Sequence, residues 1–180
     1  MKKTRNMPIQ SGYTLIELIV AVGLFALIMT LVSGAYIVMI GLTERAQGTA
    51  TGIDNLSFAL ESMTRNIRTG TNYNCDISGG DCPNGRDYFS FTNARGAEIS
   101  YGLSGSTIQE TVNDVPRRIT DPSVTISSLM FYVSGTSPAS AGDYTQPHVT
   151  IVVSGTVSSG PGRTESFTVQ TGATTRTSDL

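Results

Sequence analysis

Glu17 is the residue whose chemical type fits its surroundings least. Its carboxylate lies at the start of an apolar run, and residues 18–43 contain no charged side chain. A charged carboxylate in a membrane costs roughly 2.5–3.5 kcal/mol at the bilayer centre and less near the interface. We therefore expect Glu17 to have a partner; the alternative is an interfacial glutamate that stays hydrated.

Two cysteines form the second candidate for chemistry. Cys75 and Cys82 are separated by six residues, DISGGD, a segment that can turn back on itself. In an exported domain such a pair is expected to form a disulfide. Closing so short a loop contributes about 2 kcal/mol of stability in the chain-entropy model.

Catalytic and metal-binding patterns are weak. His148 is the only histidine, and no nucleophile elbow, phosphate-binding loop or zinc-ligand spacing is present, so we predict no enzyme active site. Asp76, Asp81, Asn84 and Asp87 form an oxygen-rich loop of the kind that Ca²⁺ prefers. Their spacing is not that of an EF-hand, and solvated turn residues are the simpler interpretation. No other cofactor is expected.

The charge-free run predicts a membrane span. Its 26 residues would form a helix of about 39 Å, enough to cross a hydrocarbon core of roughly 30 Å. Lys2, Lys3 and Arg5 precede the run, and no acid accompanies them. The positive-inside rule therefore places the N-terminus in the cytoplasm and the remainder outside the cytoplasmic membrane.

The junction between the basic leader and the apolar run carries a family resemblance. An ordinary secretory signal has its cleavage site after the apolar stretch, but here Gly12 ends the leader and Tyr13 opens the run. Gly12, Tyr13 and Glu17 resemble the last leader residue, the first mature residue and the fifth mature residue of type IV pilins and pseudopilins. The order of parts is most similar to a minor pilin or a J-type minor pseudopilin.

The resemblance implies processing and assembly. A prepilin peptidase would cut between Gly12 and Tyr13 and methylate the new amino group, which is largely cationic at neutral pH. That group would then be the partner of Glu17, within one subunit or between neighbours. The implied partners are other pilins or pseudopilins, the peptidase, an inner-membrane assembly platform and membrane lipid.

Small residues in the run have two interpretations. Gly34, Gly41 and Gly48 recur every seven residues and would lie on one side of a helix. They could let membrane helices approach closely, or they could loosen the helix locally. Gly34 also occupies the position at which many major pilins have proline, a departure that leaves helix unwinding there open.

Beyond the membrane segment, the pattern predicts an α+β fold. A helix from about 14 to 68 would continue as an amphipathic segment and end at Gly70. Its apolar stripe is formed by Ile53, Leu56, Leu60, Met63 and Ile67. The following region predicts an antiparallel β-sheet head packed on the helix, with strands Tyr88–Thr92, Glu98–Leu103, Thr107–Val112, Val115–Ile119, Val124–Val133, His148–Val157 and Ser166–Gln170.

The charge of this head argues against nucleic acid as a partner. From residue 69 onward, six arginines face ten acidic residues, a net charge of −4. Binding to nucleic acid requires that phosphates be neutralised by Lys and Arg. The Arg117–Arg118 pair is too small to reverse this balance, and we expect it to be an exposed pair beside a turn.

Together these observations predict a minor pilin or pseudopilin subunit of a type IV pilus or a type II secretion-like filament. The expected divisions are a leader peptide (1–12), a transmembrane and polymerisation helix (13–42), an amphipathic continuation (43–69) and a β-rich head (70–180). The alternative is a single-pass, signal-anchored binding module or enzyme that is never processed into a filament. A DNA-uptake subunit would share the architecture, but the acidic head does not favour it.

Overall fold

The computed structural model describes residues 12–75, 80–137, 145–160 and 162–176. In this part of the chain, helix α1 spans Leu15–Arg68, so the predicted helix from 14 to 68 is confirmed. Nine strands follow: β1 (Thr71–Asn74), β2 (Cys82–Arg86), β3 (Tyr88–Thr92), β4 (Glu98–Ser104), β5 (Thr107–Val112), β6 (Val115–Arg118), β7 (Val124–Ser134), β8 (His148–Ser158) and β9 (Thr164–Thr174).

The chain is divided into two compact units, residues 1–43 and residues 44–180. In the first unit, the large apolar side chains of α1 are all exposed, and the least exposed of them, Ile40, still has 42% of its surface accessible. The most apolar window of 18 residues has a mean hydropathy of 2.7 and no buried residue. By length and composition, this part of α1 could cross a membrane.

The few hydroxyl groups in the apolar segment are satisfied within the helix. Thr30, Ser33 and Thr43 each donate a hydrogen bond to the backbone carbonyl four residues earlier, at 2.8–2.9 Å. Hydrocarbon offers no water to an unpaired polar group, and this back-bonding is a common solution in membrane helices. The polar residues of the segment therefore do not argue against its lying in lipid.

In the second unit, residues 44–68 of α1 bury the predicted stripe. Leu56, Leu60, Met63 and Ile67 are at most 5% exposed, whereas Ile53 is only half-buried. They join one hydrophobic core with aromatic and β-branched side chains of the strands. Among these, the ring of Phe89 stacks with those of Tyr73, Phe91 and Phe131, and Tyr101 packs against Phe91 in a tilted arrangement. The expected packing of the amphipathic helix on antiparallel β-structure is confirmed.

Glycines allow the closest approach of this helix to the strands. A Cβ atom built on Gly52 would lie 1.8 Å from a methyl carbon of Val157 on β8, far inside any possible contact. A Cβ on Gly48 would lie 3.0 Å from the carbonyl oxygen of Ser158. A Cβ atom on Gly34 or Gly41, by contrast, would meet nothing within 4 Å beyond the neighbouring backbone of α1 itself in the described structure. Gly48 thus belongs to helix–strand packing in the head and not to a stripe shared with the other two.

The head contains two antiparallel sheets and not the single one expected. One has the strand order β1-β3-β4-β5-β6 and the other has the order β2-β7-β8-β9. All seven predicted strands are present. Strand β9 is longer than predicted because it pairs with the whole length of β8. The pairing runs from Ser158 opposite Thr164 to His148 opposite Thr174.

Strands β1 and β2 were missed because their sequences, TNYN and CPNGR, lack the alternation of apolar and polar residues that marks a strand. Both lie at sheet edges, and each pairs with one neighbour in an irregular register, β1 with β3 and β2 with β7. Edge positions tolerate Pro83 and the glycine at 85. Tertiary pairing, and not local propensity, makes these segments strands.

Candidate functional site

The processing junction lies directly before α1. Gly12, Tyr13 and Thr14 are outside the helix and exposed, and Tyr13 has 87% of its surface accessible. A Cβ atom on Gly12 would meet nothing within 4 Å. Both residues that flank the expected cut are therefore exposed in the described structure, and no packing there requires glycine at position 12.

Thr14 defines where the helix begins. Its side-chain oxygen accepts a hydrogen bond from the backbone N–H of Glu17 at 3.3 Å, and its carbonyl accepts the first helical bond, from Leu18, at 3.2 Å. This is the geometry of an N-cap residue. The spacing Thr-x-x-Glu is also that of a capping box, so the start of the helix has a signal in the sequence. Cleavage after Gly12 would leave a single residue in front of the cap.

Glu17 lies in the first turn of α1. The unpaired N–H groups of that turn carry partial positive charge, which favours a carboxylate there. Tyr13 lies before the helix, so the spacing of four residues does not by itself place its backbone nitrogen beside the Glu17 carboxylate. The described structure includes no salt bridge to Glu17, so the helix terminus is the only favourable charge beside it among the described residues.

Cys75 and Cys82 are joined by a disulfide, as expected, with a Cα–Cα distance of 6.3 Å. Both are buried. Cys75 follows β1 of the first sheet, and Cys82 begins β2 of the second sheet. The bridge therefore links the two sheets at the point where the chain passes from one to the other.

Removing this disulfide should lower the stability of the head. We expect the double variant Cys75→Ala/Cys82→Ala to unfold with a free energy about 2 kcal/mol smaller than that of the wild type, because the loop is no longer closed in the unfolded chain. Chemical denaturation of the full chain in detergent measures this. Dithiothreitol should destabilise the wild type similarly and leave the stability of the double variant unchanged. Equal stability of the wild type, the reduced wild type and the double variant would contradict the prediction.

The oxygen-rich loop is placed only in part. Asp76 lies outside the described residues. Asp81 uses its carboxylate to accept hydrogen bonds from the backbone N–H groups of Gly135 and Thr136, at 3.1 and 2.9 Å, and from the Thr136 hydroxyl, at 2.8 Å. It thus holds the segment after β7. Among the described residues, no three His, Cys, Asp or Glu side chains are grouped to hold a metal ion, and calcium binding by this loop stays a prediction.

His148 lies on the exposed side of β8. Its Nδ1 is 2.9 Å from the Thr174 hydroxyl of the neighbouring strand β9. Among the described residues, no carboxylate is hydrogen-bonded to the ring, and its contact there is with the Thr174 hydroxyl. This contact is typical of a cross-strand pair.

A buried polar network at the C-terminal end of α1 was not predicted. Glu110 on β5 is only 3% exposed and is paired with Arg117 of β6. The Tyr101 hydroxyl donates to Glu110 Oε1 at 3.1 Å, and Asn66 of α1 donates to the same hydroxyl at 3.1 Å. Burial raises the pKa of Tyr101 above its usual range, so this hydroxyl remains a neutral donor. The only signal in the sequence for this network was that Glu110 and Arg117 lie in consecutive predicted strands.

The comparisons with known proteins bear on the N-terminus alone. Residues 7–33 match the family model described as the prokaryotic N-terminal methylation motif. Neither a curated protein nor a solved structure matches the chain. The matched range contains the junction at Gly12–Tyr13, the cap at Thr14 and the carboxylate of Glu17. The chain therefore carries, at its N-terminus, a prepilin signal of the type IV pilin and pseudopilin kind.

Proposed function

We propose that the chain is a minor pilin or pseudopilin subunit, cleaved by a prepilin peptidase between Gly12 and Tyr13 and then methylated on the new amino group. The motif at residues 7–33 supports a pilin-like, peptidase-processed protein that assembles with other pilins. The observation that carries the proposal is the position of the exposed Gly12–Tyr13 bond, which lies inside this motif and two residues before the first residue of α1.

The proposed division of labour follows the chain. Residues 1–12 are the leader, residues 13–42 anchor the precursor in the membrane and later enter the filament, residues 43–69 connect, and residues 70–180 form the head. The basic leader stays in the cytoplasm and the head lies outside the membrane. In this proposal the work of polymerisation comes from an assembly ATPase and a platform protein outside this chain, whose own sequence contains no phosphate-binding loop.

A signal-anchored binding module or enzyme is the alternative, and processing separates the two. Such a protein would use its apolar helix only as a tether and would keep Lys2, Lys3 and Arg5. The fit of the signal and the apolar helix to a membrane-anchored protein is common to both. The motif favours a structural filament subunit over an enzyme.

Intact mass spectrometry of the membrane-extracted protein tests the proposal. With a prepilin peptidase present, the mass should fall by that of residues 1–12 and rise by one methyl group. Gly12→Val should stay at full length, because the peptidase must accommodate the residue before the cut bond. Gly23→Val is a matched control, since no other atom lies within 4 Å of either Cβ position, and it should be processed normally. A mass starting at Met1 with and without the peptidase would defeat the proposal.

A further inference from the structure

Arginine side chains converge at the C-terminal end of α1, although the head as a whole is acidic. Residues 44–180 contain nine arginines, no lysine and thirteen acids, a net charge of −4. Five of these arginines line two adjoining cavities that share Arg65 and Thr69, with volumes of about 240 Å³ and 520 Å³. We call this surface the arginine depression and define it by Arg65, Arg68, Arg95, Arg117 and Arg176.

The five arginines come from separate parts of the fold. Arg65 and Arg68 belong to the last turns of α1, Arg95 to the turn between β3 and β4, and Arg117 to β6. Arg176 follows β9, and its backbone N–H donates to the Arg68 carbonyl at 2.9 Å. Cations in the last turn of a helix are commonly explained by the helix dipole, but that explanation covers only the first two. The other three are brought there by tertiary structure.

Among the residues that the structure describes, two carboxylates are paired with arginines of the depression. Glu61 is paired with Arg65 at 2.9 Å, and the buried Glu110 is paired with Arg117. Among the described residues, no ion pair involves the remaining three side chains, those of Arg68, Arg95 and Arg176. Counted over its described lining residues, the depression has five arginines and two carboxylates, an excess of three positive charges. With a Debye length of about 8 Å at physiological ionic strength, this local excess, and not the net charge of the head, acts on a ligand in contact with it.

The floor of the depression also provides oriented donors. Glu110, itself held by the Tyr101 hydroxyl at 3.1 Å, anchors one nitrogen of the Arg117 guanidinium and leaves the rest of that group facing outward, where the side chain is 69% exposed. The Asn93 side-chain oxygen accepts from the backbone N–H groups of Arg95 and Ala97, at 2.9 and 3.0 Å. Because these bonds hold the side-chain oxygen of Asn93, they also fix the direction of its NH₂ group. Asn93 lines the depression, so this NH₂ group is an oriented donor there.

We propose that the arginine depression binds the carboxylates of a short acidic segment of a partner protein. Guanidinium groups match carboxylates bidentately, in charge-assisted hydrogen bonds that are stronger than neutral ones. Nucleic acid is a poorer fit, because the rest of residues 44–180 has four arginines against eleven acids. A long polyanion would be repelled by the surface on either side of the depression, whereas a short acidic segment ends within it.

Fluorescence anisotropy of the full chain in a nonionic detergent tests this with three probes: a fluorescein-labelled hexa-aspartate peptide, a hexa-asparagine peptide and a short oligothymidylate of similar charge. Hexa-aspartate should bind most tightly, and its affinity should fall with added salt. The triple variant Arg68→Gln/Arg95→Gln/Arg176→Gln should weaken hexa-aspartate binding by about tenfold or more. Circular dichroism checks that the variant remains folded.

A second triple variant controls for net charge. Arg45→Gln/Arg118→Gln/Arg163→Gln removes the same number of charges from residues outside the depression, and it should bind hexa-aspartate within about twofold of the wild type. Equal weakening by both triple variants, or equal binding of the two peptides, would overturn the proposal. Tighter binding of the oligothymidylate would assign the surface to nucleic acid instead. The measurement requires neither processing nor assembly, so its failure is distinct from that of the filament proposal.

Discussion

Glu17→Val should be inserted into the membrane and cleaved normally but should enter filaments poorly. Valine makes the helix easier to insert, because a charged carboxylate is removed from an apolar segment. In a chain processed as proposed, the same change also removes the anion that would pair with the new α-amino group in lipid. An unpaired buried charge is strongly unfavourable, and we expect the ratio of assembled to membrane-stored subunit to fall by about tenfold or more, or ~1.4 kcal/mol and above.

Immunoblots of the sheared filament fraction and of the membrane fraction measure this ratio. Glu17→Gln keeps the size and removes the charge, so it should behave as Glu17→Val does. Thr14→Ala is the matched control for helix capping, because Thr14 accepts the Glu17 N–H bond without contributing charge. It should destabilise the first turn by about 1 kcal/mol and retain most assembly. Normal incorporation of Glu17→Val would remove the proposed role of the carboxylate.

Gly52→Ala should destabilise the head, although alanine is the better helix former. The substitution gains about 1 kcal/mol in helix propensity. The new Cβ would, however, lie 1.8 Å from one Val157 methyl carbon and 3.6 Å from a methyl carbon of Val124. Both valines are buried, so the helix or β8 must shift. Overpacking of this kind costs typically 1–3 kcal/mol, and after the gain in propensity we expect a net loss of about 1 kcal/mol in the free energy of unfolding.

A double-mutant cycle identifies the cause of that loss. Val157→Ala alone should destabilise by creating a cavity, but in the Gly52→Ala background it should restore stability, because the clashing methyl is gone. The two changes should therefore be strongly non-additive. Gly41→Ala, at a position with no other atom within 4 Å, should cause no loss. Additive effects, or wild-type stability of Gly52→Ala, would show that the helix can move away from β8 at no cost.

In the head, most secondary-structure elements could be predicted from the sequence, but the pairing of the strands could not. Apolar periodicity located α1 and seven strands, because amphipathic helices and half-buried strands expose their period directly. Periodicity did not predict which strands pair with one another. The assignment of β1 and β2 to separate sheets, with the Cys75–Cys82 bridge between them, depends on pairing with β3 and β7. That pairing depends on contacts between separate segments of the chain, so no local sequence pattern predicts it.

The candidate site divides in the same way. Gly12, Tyr13 and Glu17 could be recognised from the sequence because their chemistry depends on spacing along one segment, with a bond just before a helix and a carboxylate in its first turn. The arginine depression could not be recognised, because Arg65, Arg95 and Arg176 are distant in sequence and only folding brings them together. The sequence by itself determined the signal, the span and the order of elements, all of which arise from local composition. The tertiary structure decided the two sheets, the Gly52 contact and the concentration of positive charge, since each depends on packing between separate elements.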